Sequence, residues 1–340
     1  MRLSIISLVG DDSKQVASYL ESLKNQENQN FEVVLCINKK TQAKAIYQVV
    51  QEYYHFFGSR LIVIYNTKEN SYQFNLVSAF RVIKGDFVTI KNSEVVLKRT
   101  FVDDLLTQAV RFNVDVLEFK PRLVGSIRFK PKERMVLDKV VDINKNPQIY
   151  AYTFPFIFNK VFKKSLVKKM VKHHVVNTND TKMCMEVNYI LLLKAKTYKY
   201  LDYCLNREYI DESIWLIPSN VDKTFAYLEN YAKINELKVS QELMYAYFYC
   251  LKILFSGFIH ETYFFWRHFV SIKTIEELRI KRGKLAIDRH AKTIADLENS
   301  QKYQEFITTN VYASKDNIET KMLKTKYSQI IKDKILDNLE

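Results

Sequence analysis

The chain has 340 residues, 47% of them hydrophobic and 14% aromatic, a composition that supports a sizeable core and excludes a disordered polypeptide. Its formal charge of +14 points to an anionic partner, whether nucleic acid, acidic headgroups or a phosphorylated substrate. Six glycines, none in a Gly-x-Gly-x-x-Gly or Walker-type loop, disfavour the common dinucleotide-binding enzymes and P-loop NTPases, and four scattered cysteines (Cys36, Cys184, Cys204, Cys250) exclude a disulfide scaffold.

The apolar run Leu3 to Val9 is too short for a signal-peptide core and stops at Asp11-Asp12, so it reads as a first strand. Val16, Tyr19, Leu20 and Leu23 then fall on one face of a helix. Phe31 to Ile37 is a second strand, followed by a helix with Ile46, Val49, Val50, Tyr53 and Tyr54 on one side. Leu61 to Tyr65 is a third strand, residues 74 to 84 are helical, and Phe87 to Ile90 is a fourth strand. Strands separated by amphipathic helices predict a parallel sheet covered on both faces.

Ligands of such sheets bind outside the carboxyl ends of the strands. Those ends are Gly10-Asp11, Asn38-Lys39-Lys40, Asn66-Thr67 and Asn92-Ser93-Glu94. The last cluster has two readings, a strand-end turn or a cation site with Glu94 as its carboxylate. Asp103-Asp104 belongs to the first turn of a helix starting near Thr100 and reads as helix-start chemistry. Strand character returns at Val114 to Phe119, a helix is expected from about Asn159, and another runs through Tyr189 to Lys196. From about Val221 the pattern is helical to the end.

Within Lys160 to Lys172, six lysines flank an apolar stripe of Phe162, Leu166 and Met170. The spacing predicts a basic amphipathic helix, either packed on the core with a solvated lysine face or resting on an anionic membrane surface. No run reaches the eighteen or so apolar residues of a membrane span; the nearest, Leu243 to Trp266, is interrupted by Lys252, His260 and Glu261. His173 and His174 have no ligand spacing and read as surface residues. The thiols are read as reduced and buried, in a cytoplasmic protein that could sit peripherally on the inner face of the cell membrane.

Several segments together resemble the family 2 glycosyltransferases. Ser4-Ile5-Ile6, the run Leu20 to Gln26 and Asn30 to Leu35 resemble the first βαβ unit of that family. Gly85-Asp86-Phe87-Val88 resembles its Gly-Glu-Tyr-Ile, the stretch Phe158 to Leu166 its Asn-Lys-Leu-Tyr-Arg-Arg segment, and Arg207 with Ser213-Ile214 the segment closing the domain. The resemblance implies an α/β GT-A-like fold with a mostly parallel central sheet: residues 1–115 as the nucleotide-sugar-binding half, 116–220 as the acceptor half, and 221–340 as a helical C-terminal region. It implies transfer of a sugar from a nucleotide sugar to a lipid or surface polysaccharide acceptor, with inversion; nucleic acid is not an expected partner.

The family's metal-holding Asp-x-Asp falls on Asn92-Ser93-Glu94, a degenerate form in which Glu94 is the ligand left for manganese or magnesium and Asn92 and Ser93 remain as donor contacts. The nucleobase-contacting acid falls on Asn38, whose amide can both donate and accept. Leu8 replaces the proline of the first-strand loop, and Asn75-Leu76-Val77 stands for the Ala-Arg-Asn segment. The family's Glu-Asp base pair falls on Cys184-Met185 or, with a two-residue deletion, on Glu186-Val187, which leaves Glu186 or Asp180 as the expected base. The same substitutions also fit a catalytically silent binding or assembly module built on this fold.

Overall fold

Every residue of the first strand, β1 (Leu3–Leu8), is buried, as expected of a central strand covered on both faces. The computed structural model describes residues 2–10, 12–38, 43–66, 71–125, 127–137, 139–176, 182–210, 218–261 and 273–340. Helix α1 (Ser13–Lys24) begins where the Asp12 side chain accepts from the Lys14 amide, and buries Val16, Tyr19, Leu20 and Leu23. β2 (Phe31–Ile37), α2 (Ala43–Phe57), β3 (Leu61–Tyr65), α3 (Tyr72–Ala79) and β4 (Phe87–Asn92) continue the expected alternation. α3 starts two residues earlier than expected, because the Ser71 hydroxyl caps the Phe74 amide, and it ends before Lys84.

β1 lies between β2 and β4, parallel to both, with Leu8 opposite Cys36 on one side and Asn92 on the other. β3 extends the sheet beyond β2, also in parallel. α4 (Phe101–Phe112) carries Asp103 and Asp104 in its first turn, where the helix dipole favours carboxylates, and is followed by β5 (Val116–Phe119). Next come β6 (Leu123–Gly125), β7 (Val141–Asp142), α5 (Gln148–Tyr152), β8 (Lys160–Lys163), α6 (Lys164–Lys168), α7 (Met185–Lys194), β9 (Thr197–Leu201) and β10 (Glu208–Ile210). Eight strands form one sheet in the order β3-β2-β1-β4-β8-β5-β9-β7, with β8 antiparallel to both neighbours.

That placement corrects the expectation of a basic helix over Lys160 to Lys172. Lys160 is a strand residue, completely buried; its ammonium donates to the carbonyls of Phe154 and Phe156 at 2.7 Å each and lies 3.3 Å from Glu118. Lys164 donates to the Lys84 carbonyl and Lys168 to those of Phe80 and Arg81, so these ammoniums are spent on carbonyls at the end of α3 and the loop that follows it. Lys169 and Lys172, in the turns after α6, are exposed, so these lysines are spread over a strand, a short helix and turns and do not line one helix face.

The chain divides into two compact units, Met1–Leu123 with Glu133–Pro147 and Thr153–Tyr209, and Val124–Lys132 with Gln148–Tyr152 and Ile210–Glu340. The second unit is helical: α5, α8 (Pro218–Ile234), α9 (Ser240–Phe248), a π-helical turn (Tyr249–Leu254), α10 (Phe255–His260), α11 (Lys273–Glu298), α12 (Gln301–Thr309), α13 (Ile318–Lys324) and α14 (Tyr327–Ile330). The continuous run Ser240–His260 has the length and apolarity of a membrane span despite Lys252 and His260, yet 89% of its apolar window is packed inside the protein. Lys252 is accommodated there by an ion pair to Glu298 at 2.7 Å and a hydrogen bond to the Leu323 carbonyl at 2.8 Å.

A pH response follows from the same unit. His290 is buried beside the Ser256 hydroxyl, 2.9 Å from its Nε2, and burial pushes the imidazole down from 6.5 to about 4. Between those values the unfolded chain binds the extra proton, so this contribution is intact above pH 6.5 and lost as pH falls towards 4, by up to about 3 kcal/mol. Thermal melts at a series of pH values should show this slope in the native chain and a shallower one in His290→Gln; equal slopes would remove His290 as the cause.

Candidate functional site

The parallel strands bring their carboxyl ends to one edge of the sheet. β1 delivers Gly10, β2 delivers Asn38, β3 delivers Asn66, and β4 ends in Asn92-Ser93-Glu94. Asn38 and Asn92 flank the end of β1 from its two neighbouring strands, which sets them about 10 Å apart at the usual interstrand spacing. The segments expected to share an edge therefore do so.

Each residue there is held differently. Asn38 is buried, and its Oδ1 accepts from Asn75 Nδ2; Asn75 Oδ1 in turn accepts from Asn66 Nδ2 at 2.9 Å. This amide chain links β2, β3 and α3. Asn92 is also buried, and neither its Nδ2 nor its Oδ1 has a hydrogen-bond partner among the described residues. A buried orphan amide is costly, as a group awaiting a ligand or water is. The Ser93 hydroxyl accepts from the Gly10 amide at 3.0 Å, and the Ser93 amide donates to the Leu8 carbonyl at 3.1 Å. Ser93 thus ties the β4 end to the β1 end.

Glu94 forms an ion pair with Lys182, and both side chains are almost fully buried, at 5% and 2% exposure. The Glu94 carboxylate lies directly over Gly10: a Cβ there would meet Glu94 Oε1 at 1.9 Å and Lys182 Nζ at 3.1 Å. The lack of a side chain at residue 10 is what admits the pair. The Lys182 ammonium also stands 5.7 Å from the centre of the Tyr72 ring, a cation–π distance. Behind this pair, Lys91 bonds Glu208, and burial pushes the Glu208 carboxyl up while the Lys91 ammonium opposes the shift.

The first turn of α3 connects these parts. Tyr72 faces Lys182, Gln73 Oε1 accepts from the Val187 amide at 3.0 Å, and Asn75 holds Asn38. Lys182, Tyr72, Gln73 and Asn75 were not identified as site residues by sequence reasoning. The available signal was a departure: Asn75 stands in the segment where the resemblance leads one to expect Ala-Arg-Asn, and a polar residue at a strand-facing helix start has something to bond.

Glu186 is placed in the first turn of α7, completely buried, where its Oε1 lies 3.0 Å from His173 Nε2 and accepts from the Val176 amide at 3.1 Å. A general base must reach the hydroxyl it deprotonates. In this structure Glu186 ties the 173–176 turn to α7, and His173, expected at the surface, is largely buried against it. Asp180, the other expected base, lies outside the described residues.

The donor set does not suit a divalent metal as placed. A hard cation takes about six oxygen ligands, several of them anionic. Here Glu94 is neutralised by Lys182, Asn92 brings a neutral amide, and the Ser93 oxygen already serves Gly10. No group of three or more His, Cys, Asp or Glu side chains that could hold a metal occurs among the described residues.

Comparison with known proteins agrees with this architecture. The chain is similar in fold to S. aureus TarS 1-349 in complex with UDP, at a TM-score of 0.61 and 16% identity, covering 100% of this chain and 89% of that one. The complex of TarS 1-349 with UDP-GlcNAc gives a TM-score of 0.57 at 16% identity, covering 100% and 89% of the two chains. Against a longer S. aureus TarS chain the values are 0.54 and 17%, and there the match covers 73% of this chain but only 43% of that one. No curated protein matches the chain in sequence. The model of the family described as Glycosyl transferase family 2 matches residues 4–175, half of the chain and all four strands whose ends build the site, and on that ground the chain belongs to glycosyl transferase family 2.

Proposed function

We propose that the chain is a glycosyltransferase that binds a nucleotide sugar at the carboxyl edge of β1, β2 and β4 and passes the sugar to a lipid or surface polysaccharide acceptor. The observation that carries this reading is the convergence of Asn38, Asn92, Glu94 and Lys182 on one strand edge of a family 2 domain. Asn38, held by Asn75, meets the base; the orphan amide of Asn92 gains the partner it lacks from the ribose or diphosphate; and the Lys182 ammonium faces diphosphate charge. Inversion at the sugar carbon, as the family resemblance implies, completes the reading, with Glu186 and His173 positioning the segment that leads into α7.

The structural relatives described above were solved with UDP and UDP-GlcNAc, which makes uridine nucleotides the first probes. Calorimetric titration should show micromolar binding of UDP, or of GDP if the donor is a guanosine sugar, and Asn38→Ala should weaken it by about tenfold, the worth of one or two buried hydrogen bonds. Binding of neither nucleotide would end this reading. Binding without hydrolysis or transfer across a panel of nucleotide sugars would instead assign the domain to binding or assembly.

A further inference from the structure

The role left open by the metal-site geometry has a candidate already built into the chain. We propose that Lys182 is an internal cation that takes the place of a divalent metal at the donor diphosphate, so that donor binding by this protein is independent of metal. The inference rests on the donor-site reading above and specifies how that site handles charge.

Charge balance supports it. A two-carboxylate site with a divalent ion sums to zero, −2 against +2, and among the described residues the Glu94–Lys182 pair also sums to zero, −1 against +1. With an amide at residue 92, the single carboxylate of Glu94 is matched by the single charge of Lys182. A lone Asn92 with a metal, or Lys182 facing two carboxylates, would leave the buried edge unbalanced, at a cost of several kcal/mol.

Geometry supports it independently. The ammonium is held from two sides, by the Glu94 carboxylate and by the Tyr72 ring, and it lies 3.1 Å from where a Cβ of residue 10 would stand, at the end of the first strand. A protonated lysine carries three N–H donors, and one of them serves Glu94, so donors remain for diphosphate oxygens. Glu208, the other carboxylate whose charge is felt at this edge, is already bonded to Lys91. Lys182 therefore presents fixed positive charge, oriented before the ligand arrives, which is the condition under which electrostatic stabilisation is strongest.

The test is a titration of UDP and GDP into the full chain in EDTA and in manganese. The native chain should bind one of them with affinities that agree within about twofold between the two conditions. Lys182→Met should lose about tenfold or more in EDTA and in manganese alike, because the cation facing the diphosphate is gone and the remaining donors do not suit a metal. Lys182→Met could be destabilised by the bare Glu94, so Glu94→Gln is the second variant. With the carboxylate neutralised, the field of the ammonium is left for the diphosphate and metal-free binding should tighten, whereas a metal site would lose its one anionic ligand and weaken. Native binding that requires manganese, or a loss of affinity in Glu94→Gln, would overturn the role of Lys182 while leaving the donor site standing. Absence of binding under both conditions would overturn the donor site and this inference together.

Discussion

Glu118→Ala is expected to lower the stability of the first unit by about 3–5 kcal/mol, the cost of stripping the partner from a buried charge. Glu118, completely buried in β5, accepts from the Thr153 hydroxyl at 2.6 Å, the Tyr198 hydroxyl at 2.6 Å, the Phe154 amide at 2.9 Å and Asn159 Nδ2 at 3.1 Å, and it balances Lys160. These partners come from β8, β9 and the loop before β8, so one carboxylate joins β5 to its neighbouring strands. Removing it leaves Lys160 with carbonyls and an amide alone. Burial already pushes that ammonium down from 10.5 to about 8, against the pull of Glu118. Between those values the unfolded chain holds the extra proton, so this contribution to stability rises with pH from about 8 to 10.5. In Glu118→Ala the rise should begin at lower pH. Urea unfolding across pH checks both points, and Glu118→Ala with Lys160→Met should recover the part of the loss due to the unpaired ammonium, while the donors of Thr153, Tyr198, Phe154 and Asn159 still lack their acceptor. A single-variant loss under about 1 kcal/mol would show that the carboxylate is not what joins these strands.

Gly85→Ala should be nearly as damaging, because the clash is with backbone. A Cβ at residue 85 would lie 2.6 Å from the Ser4 amide nitrogen and 2.7 Å from the Leu3 carbonyl carbon, both in β1. Neither can move without shifting the central strand against β2 and β4. The Gly85 amide also donates to Ser4 Oγ at 2.9 Å and to the buried Glu32 carboxylate at 3.1 Å, and Ser4 Oγ donates to Glu32 at 2.7 Å. Overpacking at such a point costs about 1–3 kcal/mol and more where the backbone must yield. Because β1 and β4 carry Gly10 and the Asn92-Ser93-Glu94 cluster, the variant should also lose nucleotide affinity in proportion to the displacement. Chemical denaturation with nucleotide titration reads both; native stability in Gly85→Ala would mean that the β1–β4 spacing tolerates a methyl group.

These two variants sit below the site and act on its frame. The site itself depends on Glu94 and Lys182, which lie 88 residues apart in sequence and meet over a glycine that has no side chain to keep them out. The catalytic expectation shifts accordingly. In the proposed reading charge at the diphosphate falls to Lys182, and Glu186, the expected base, is bonded to His173 and the Val176 amide.

The alternation of strands and helices, the parallel sheet and the edge shared by Asn38 and Asn92-Ser93-Glu94 were all readable from residue order, because burial on a strand repeats at every position or every second and on a helix at 3.6. The same rule failed over Lys160 to Lys172. Phe162, Leu166 and Met170 repeat at helical spacing, yet Phe162 packs as a strand residue between β4 and β5, and Lys160 goes inward because the Phe154 and Phe156 carbonyls and Glu118 are there to receive it. Lys182 was invisible for a related reason. Periodicity reports which face of an element is apolar, whereas a buried ion pair is set by which charges distant segments bring within about 4 Å of one another, and that distance exists only once the chain has closed the sheet around Gly10.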